Sequence, residues 1–256
     1  MVQFDVDKYV TAAAKKSTNN IHVPQTVSMF TPDPNGMYVG RLIGYVEEGI
    51  HESTYNNQTI RRNTLRLDFE LSSLDKDELE SMRDGENRLP LKSKVITLSF
   101  NEKSNLFKLS KSMDPDEKYE HLYQMLNKIF LLELEFNTDK ETKRISYFIK
   151  NVKLPIGKNV APNGKVEIVD YSNYAAPISR PIRCFIWDHP SIEAWDSLYI
   201  PGEYNKESKN YIQNHIRDAV NFKDSPIYEL LAEAERDPFT DYDDEGNIIY
   251  QHVTKK

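Results

Sequence analysis

The sequence predicts a mainly β protein: a five-stranded Greek-key barrel, with a helix between strands three and four and a helical extension behind the barrel. Three observations carry that expectation. Residues 62–71 alternate with period two, Leu65, Leu67, Phe69 and Leu71 against Thr64, Arg66, Asp68 and Glu70. The first strand-like run holds Gly40 and Gly44, which mark bends of the kind a strand needs to curl round a small barrel. The elements also fall in one order, three strands, a helix, then two strands.

Residues 37–47 form the first strand, with Tyr38, Leu42 and Val46 on the glycine side and Arg41 and Tyr45 facing outward. Residues 50–60, polar and tipped with Asn56-Asn57, read as a long hairpin loop. The alternating run 62–71 is the second strand. Residues 73–90 form an inserted excursion, helical around Lys76–Met82. The third strand is 94–100, with Ile96, Leu98 and Phe100 on one face. Asp114-Pro115-Asp116-Glu117 reads as a helix start, with an N-cap, proline at the first position and acids in the first turn. That helix runs to about Lys128, with Tyr119, Leu122, Met125 and Leu126 on its stripe. Ile129–Phe136 and Lys143–Val152 are strands four and five, joined at residues 137–140. This is the element order of the oligonucleotide-binding (OB) fold.

Around that barrel (36–154), residues 1–35 are expected to supply a short helix and an arm, and residues 155–235 an extension packed on the barrel. Within the extension, residues 155–181 are a Pro/Asn/Gly/Ser-rich wrap and 182–187 one more strand. Helices follow near 191–198, 208–221 and 225–234, with Ser208 and Ser225 as N-caps. Residues 236–256 read as a flexible acidic tail.

The 256 residues carry a net charge of -7, but unevenly. Residues 86–111 hold six Lys/Arg against two Asp/Glu, and residues 138–165 seven against two. Residues 193–245 hold five against fourteen. Basic charge in the middle and acidic charge behind it is the first functional clue. No run approaches the roughly 18–20 apolar residues that span a bilayer. The N-terminus lacks signal-peptide character, and the lone Cys184 precludes an internal disulfide. A cytoplasmic protein without cofactor or metal is expected.

Binding single strands takes cations along the phosphates and aromatic faces for the bases. The candidates are Arg41 and Tyr45 on strand one, Tyr55 and Arg61 in the hairpin, and Arg62 and Arg66 on strand two. Lys94, Lys103, Phe107 and Lys108 follow, then Tyr147 and Lys150 on strand five, Tyr147 being preferred over Phe148 as the exposed ring. Near the C-terminus, Phe239, Tyr242, Asp243 and Asp244 combine aromatics with acids, a pattern that docks into basic apolar pockets of partners.

Two stretches resemble single-stranded DNA-binding proteins of bacteriophage replication modules. One is Gly36-Met-Tyr-Val-Gly-Arg-Leu-Ile-Gly-Tyr-Val-Glu-Glu-Gly-Ile-His51 with Arg66-Leu-Asp-Phe-Glu-Leu71. The other is Arg180-Pro-Ile-Arg-Cys-Phe-Ile-Trp-Asp-His-Pro190 with Trp195-Asp-Ser-Leu-Tyr199. The resemblance implies coating of exposed strands in replication and recombination, inside the host cytoplasm. It also implies recruitment of a polymerase, helicase or primase through an acidic tail. Here residues 248–256 follow the acids, where such tails commonly end.

No phosphate loop, His-Glu-x-x-His helix or nucleophile elbow occurs, so a non-enzymatic protein is expected. The rival readings are a protein-binding adaptor or phage assembly protein using the same barrel, and a Mg²⁺-dependent nuclease built on Asp68 and Glu70.

Overall fold

The computed structural model describes residues 36–142, 145–160, 166–204, 207–234, 236–242 and 248–251. The expected helix and arm of residues 1–35 lie outside them. The architecture is mainly β, centred on a six-stranded sheet. Five strands, β1 (Met37–Tyr55), β2 (Gln58–Ser72), β3 (Leu91–Thr97), β4 (Ile129–Thr138) and β5 (Ile145–Lys153), run antiparallel in the order β3-β2-β1-β4-β5. The sixth of the sheet, β8 (Arg183–Phe185), pairs in parallel with Gly44–Val46 of β1, beyond the end of the β1–β4 ladder.

The expected loop at 50–60 is instead strand. Both strands continue to a two-residue turn at Asn56-Asn57, whose φ values of 50° and 59° suit a tight hairpin matched to strand twist. Asparagine tolerates that left-handed backbone, so one residue pair replaces a loop.

The phase of β1 also differs from strict alternation. Register shifts between Leu42 and Gly44 and between Glu47 and Gly49 each insert an unpaired residue. A single bulge moves every later side chain to the other face. Tyr38, Leu42 and Tyr45 therefore point into the main core, whereas Val46 joins a second core on the other side of the sheet. At Gly49 (φ 82°) the backbone is left-handed and a Cβ would run into Trp187, so only glycine fits.

The helix between β3 and β4 lies earlier than expected. It is α2 (Asn105–Met113), after α1 (Lys76–Ser81) in the excursion. Ser104 caps it by accepting from Phe107 N, and Leu106, Leu109 and Met113 face the core. Asp114-Pro115 is its stop, since the residue before proline is pushed out of helical geometry. Asp114 Oδ2 then accepts from Tyr119 N (2.8 Å), leading to a 3-10 turn at Leu122–Met125. In β3 the ladder ends at Thr97, and Phe100 is exposed.

Residues 155–181 contain a separate hairpin, β6 (Ile156–Val160) with β7 (Val166–Asp170), then a 3-10 turn at Tyr171–Tyr174. The wrap lies over β2: Ser179 N and Oγ donate to Glu70, and Ala176 N donates to Ser72 Oγ (3.0 Å). Behind β8 come α3 (Ile192–Ser197), a short β9 (Glu203–Tyr204) and β10 (Glu207–Ser208), α4 (Tyr211–Arg217) and α5 (Pro226–Glu233). Asn210, and not Ser208, is the residue before α4, while Ser225 caps α5 with Pro226 at its first turn. Trp195, Phe222, Ile212, Ile216 and Ile227 bury the second core against Val46 and Phe185.

Part of the segment expected as a flexible tail is ordered. β11 (Thr240–Tyr242) pairs with β12 (Ile248–Gln251), and Asp241 is buried in an ion pair with Arg217 (2.7 Å). Asn210 also donates to Asp241 (2.9 Å), so the carboxylate is held from two sides. Among the described residues no helix is long and apolar enough to cross a membrane.

Candidate nucleic-acid interface

The two ends of the strand path, β3 and β5, face each other across an open seam with α2 lying against both. In the β2–β3 ladder Lys94 pairs with Leu67 and Lys92 with Phe69, so both lysines stand on the inner face. At the seam their stems reach outward along apolar surface. Lys94 Nζ donates to Ile149 O (2.6 Å), and Lys92 Nζ lies 5.5 Å from the centre of the Tyr147 ring. Burial pushes both ammonium groups below the ordinary lysine value.

Beside them a groove of about 420 Å³ opens between β3, β5 and α2. Lys94, Lys108 and Lys150 line it over an apolar floor of Ile96, Leu109 and Val152, and its lining contains no carboxylate. Lys150 leans to Glu133 (3.2 Å) and Glu135 (3.8 Å) on β4. The hydrogen bond to Glu133 and then its charge push the Lys150 pKa up. These are exposed pairs, which hold a lysine only weakly.

The β1–β2 hairpin presents a second cationic and aromatic surface. His51, Ser53 and Tyr55 alternate onto one face, with Arg62 opposite His51. Tyr55 at the tip is 64% exposed. Arg62 Nη1 donates to Ser53 Oγ (3.3 Å), and the exposed Arg61 bonds Glu52 (2.8 Å) on the other face. At the base, His51 stacks on His215 of α4 with ring centres 3.9 Å apart.

Three expected contacts are instead engaged within the chain. Tyr45 is a core residue whose hydroxyl donates to Glu47 Oε1 (2.6 Å), because the bulge reversed its face. Burial, and then that carboxylate, hold its phenol far above the usual range. Arg66 bonds the buried Glu48 (2.5 Å) and lies over the Tyr211 ring. Arg41 donates to Asn127 Oδ1 (3.0 Å) and Ala176 O (3.1 Å), tying β1 to the wrap. Lys103 and Lys108 are exposed, while Phe107 is half-buried under Lys111. Of the two neighbouring rings on β5, Phe148 is the exposed one and Tyr147 is half-buried, the reverse of the expected choice.

The residues proposed for partner docking divide. Phe239 packs edge-on against Phe222 (5.8 Å) and Tyr228 (6.4 Å) of its own chain, so it anchors the C-terminal segment internally. Tyr242 lies in β11, and Asp243 and Asp244 lie outside the described residues.

The acids considered for magnesium are both engaged. Asp68 accepts from Ser93 Oγ (2.5 Å), and Glu70 accepts from Ser179 and Arg180. Burial raises the Asp68 pKa, opposed by Ser93 and Arg66. Among the described residues no group of three or more His, Cys, Asp or Glu has metal-binding geometry. Burial followed by Glu47 also pushes up the Cys184 thiol. Sequence reasoning missed Lys92 and the His51–His215 stack. Lys92 was legible as the i−2 neighbour of Lys94; the stack joins residues on separate elements and leaves no local signal.

The chain matches no family model and no curated protein.

Proposed function

We propose that this protein binds single-stranded DNA on an OB-type barrel, along the β3–β5 seam and the β1–β2 hairpin. The connectivity supports the OB reading: β1 lies between β2 and β4, a helix joins β3 to β4, and β3 and β5 face each other at closure. The single observation that carries the binding is the carboxylate-free groove lined by Lys94, Lys108 and Lys150. Its cations suit a phosphate backbone, and the exposed rings of Phe148 and Tyr55 supply faces for bases. Burial disfavours the charged forms of Lys92 and Lys94, and an incoming phosphate would offset that penalty.

The test is a fluorescence titration with oligo-dT at several salt concentrations. Affinity falls steeply as salt rises, since neutralised phosphates release counterions. Absence of oligo-dT binding at low salt rejects the proposal and leaves the adaptor reading, which the exposed Phe100 and Phe136 favour. Degradation of the oligonucleotide on adding Mg²⁺ would instead mark a nuclease.

A further inference from the structure

A second cavity, of about 310 Å³, opens where the chain leaves α2 at Met113 and where β4 begins at Ile129. Its walls are largely apolar, formed by Met113, Pro115, Met125, Phe130, Leu154 and Pro155. It adjoins the lysine groove along the same two elements. The groove takes Ser112 and Val152, the cavity takes Met113 and Leu154, and Ser112 Oγ donates to Val152 O (2.7 Å) between them.

Three polar groups on this apolar lining have bonding capacity to spare. Asp114 is only 8% exposed; its Oδ2 accepts from Tyr119 N (2.8 Å), while its Oδ1 accepts from no group among the described residues. Asn127 Oδ1 accepts from Arg41 Nη1 (3.0 Å), which fixes the amide and leaves Nδ2 as a donor without a described partner. Lys128 Nζ lies 6.0 Å from the centre of the Tyr119 ring and pairs with no described carboxylate. Asp116 and Lys118 at the rim pair with each other (3.2 Å). An apolar space with one acceptor and one donor matches a nucleobase, and a lysine beside it matches a phosphate. An aliphatic occupant would leave the acceptor and donor desolvated without a partner.

We propose that this cavity receives one base of the strand held in the neighbouring groove, with Lys128 on its phosphate. Asp114 Oδ1 accepts from a base N–H, and Asn127 Nδ2 donates to a base carbonyl or ring nitrogen. For thymine these are N3–H and the carbonyl next to it. The inference rests on the groove binding single strands.

The experiment is NMR of the full chain labelled with ¹³C at its methionine methyl groups. It is titrated with oligo-dT and, separately, with an abasic strand of the same length. The Met113 and Met125 resonances, assigned through Met→Leu variants, are expected to shift with oligo-dT and not with the abasic strand. Met82, buried but not lining the cavity, is the internal reference. Ser172→Phe places a ring in the cavity; it should abolish those shifts and weaken oligo-dT binding by about fivefold or more. Lys128→Ala changes an exposed side chain and should flatten the salt slope for both strands by about 0.7, one phosphate contact. Oligo-dT that binds by fluorescence anisotropy without shifting Met113 and Met125, or equal shifts with the abasic strand, overturns the base pocket and leaves the groove reading standing. Absence of oligo-dT binding removes both.

Discussion

The outer flank of β1–β2 and the seam of β3–β5 belong to one sheet and differ in both charge and solvation. On the outer flank Glu48, Asp68 and Glu70 are buried, facing Arg66, Ser93 and Arg180 under the wrap and the C-terminal helices. At the seam Lys94, Lys108 and Lys150 line an open groove without a lining carboxylate. A charged strand face stays open to solvent only where no later segment covers it. On the covered flank charge is a structural element, and on the open flank Lys108 and Lys150 stay exposed to solvent.

The largest effect expected from breaking that contrast is on stability. Arg66→Ala leaves Glu48 buried without its guanidinium, which costs about 3–5 kcal/mol, to be read by urea denaturation. Glu48 Oε2 already lacks a hydrogen-bond partner, which leaves the site little reserve. The combined change of Lys94, Lys108 and Lys150 to alanine tests the open flank. It should flatten the log K against log salt slope for oligo-dT by about 2, at roughly 0.7 per phosphate contact on single strands. Its effect on the urea midpoint should be far smaller than that of Arg66→Ala; a comparable loss would mean the seam lysines are structural too.

Tyr55→Ala sharpens the contrast further. It should lower oligo-dT affinity by about 1–2 kcal/mol through a lost stacking face, with the melting temperature unchanged. The smallest effect is on pH. Burial pushes the His215 pKa down, with Glu48 opposing and His51 and Arg66 adding to the depression. The unfolded chain therefore takes up this proton first, and stability falls as pH drops below the ordinary imidazole range towards the depressed value. His215→Gln should flatten that limb of a stability–pH curve; an unchanged curve would remove His215 from the linkage.

Legibility followed the range of the interaction. The alternation of Leu65, Leu67, Phe69 and Leu71 set the core face of β2 correctly, and Ser225-Pro226 located the start of α5. Asp114-Pro115 misled because the same pair that starts a helix also stops one, and the choice depended on Ser104 capping a helix upstream. Tyr45 misled because bulges break the count on which a period-two reading relies. Phe239 among acids resembles a partner motif in sequence, yet its ring is taken by Phe222 and Tyr228 of the same chain.

What the residues alone determined was the β-rich class, the order of the strands and the basic middle against the acidic end. Backbone preference, side-chain period and charge are local properties, carried by each segment wherever it packs. What tertiary structure decided was which polar groups stay in water. Arg180 and Ser179 reach Glu70 across about 110 positions of chain, and the helical region closes over Glu48 from further still. Solvation is set by whatever lies on top of a residue, and that neighbour leaves no trace in the residue's own segment.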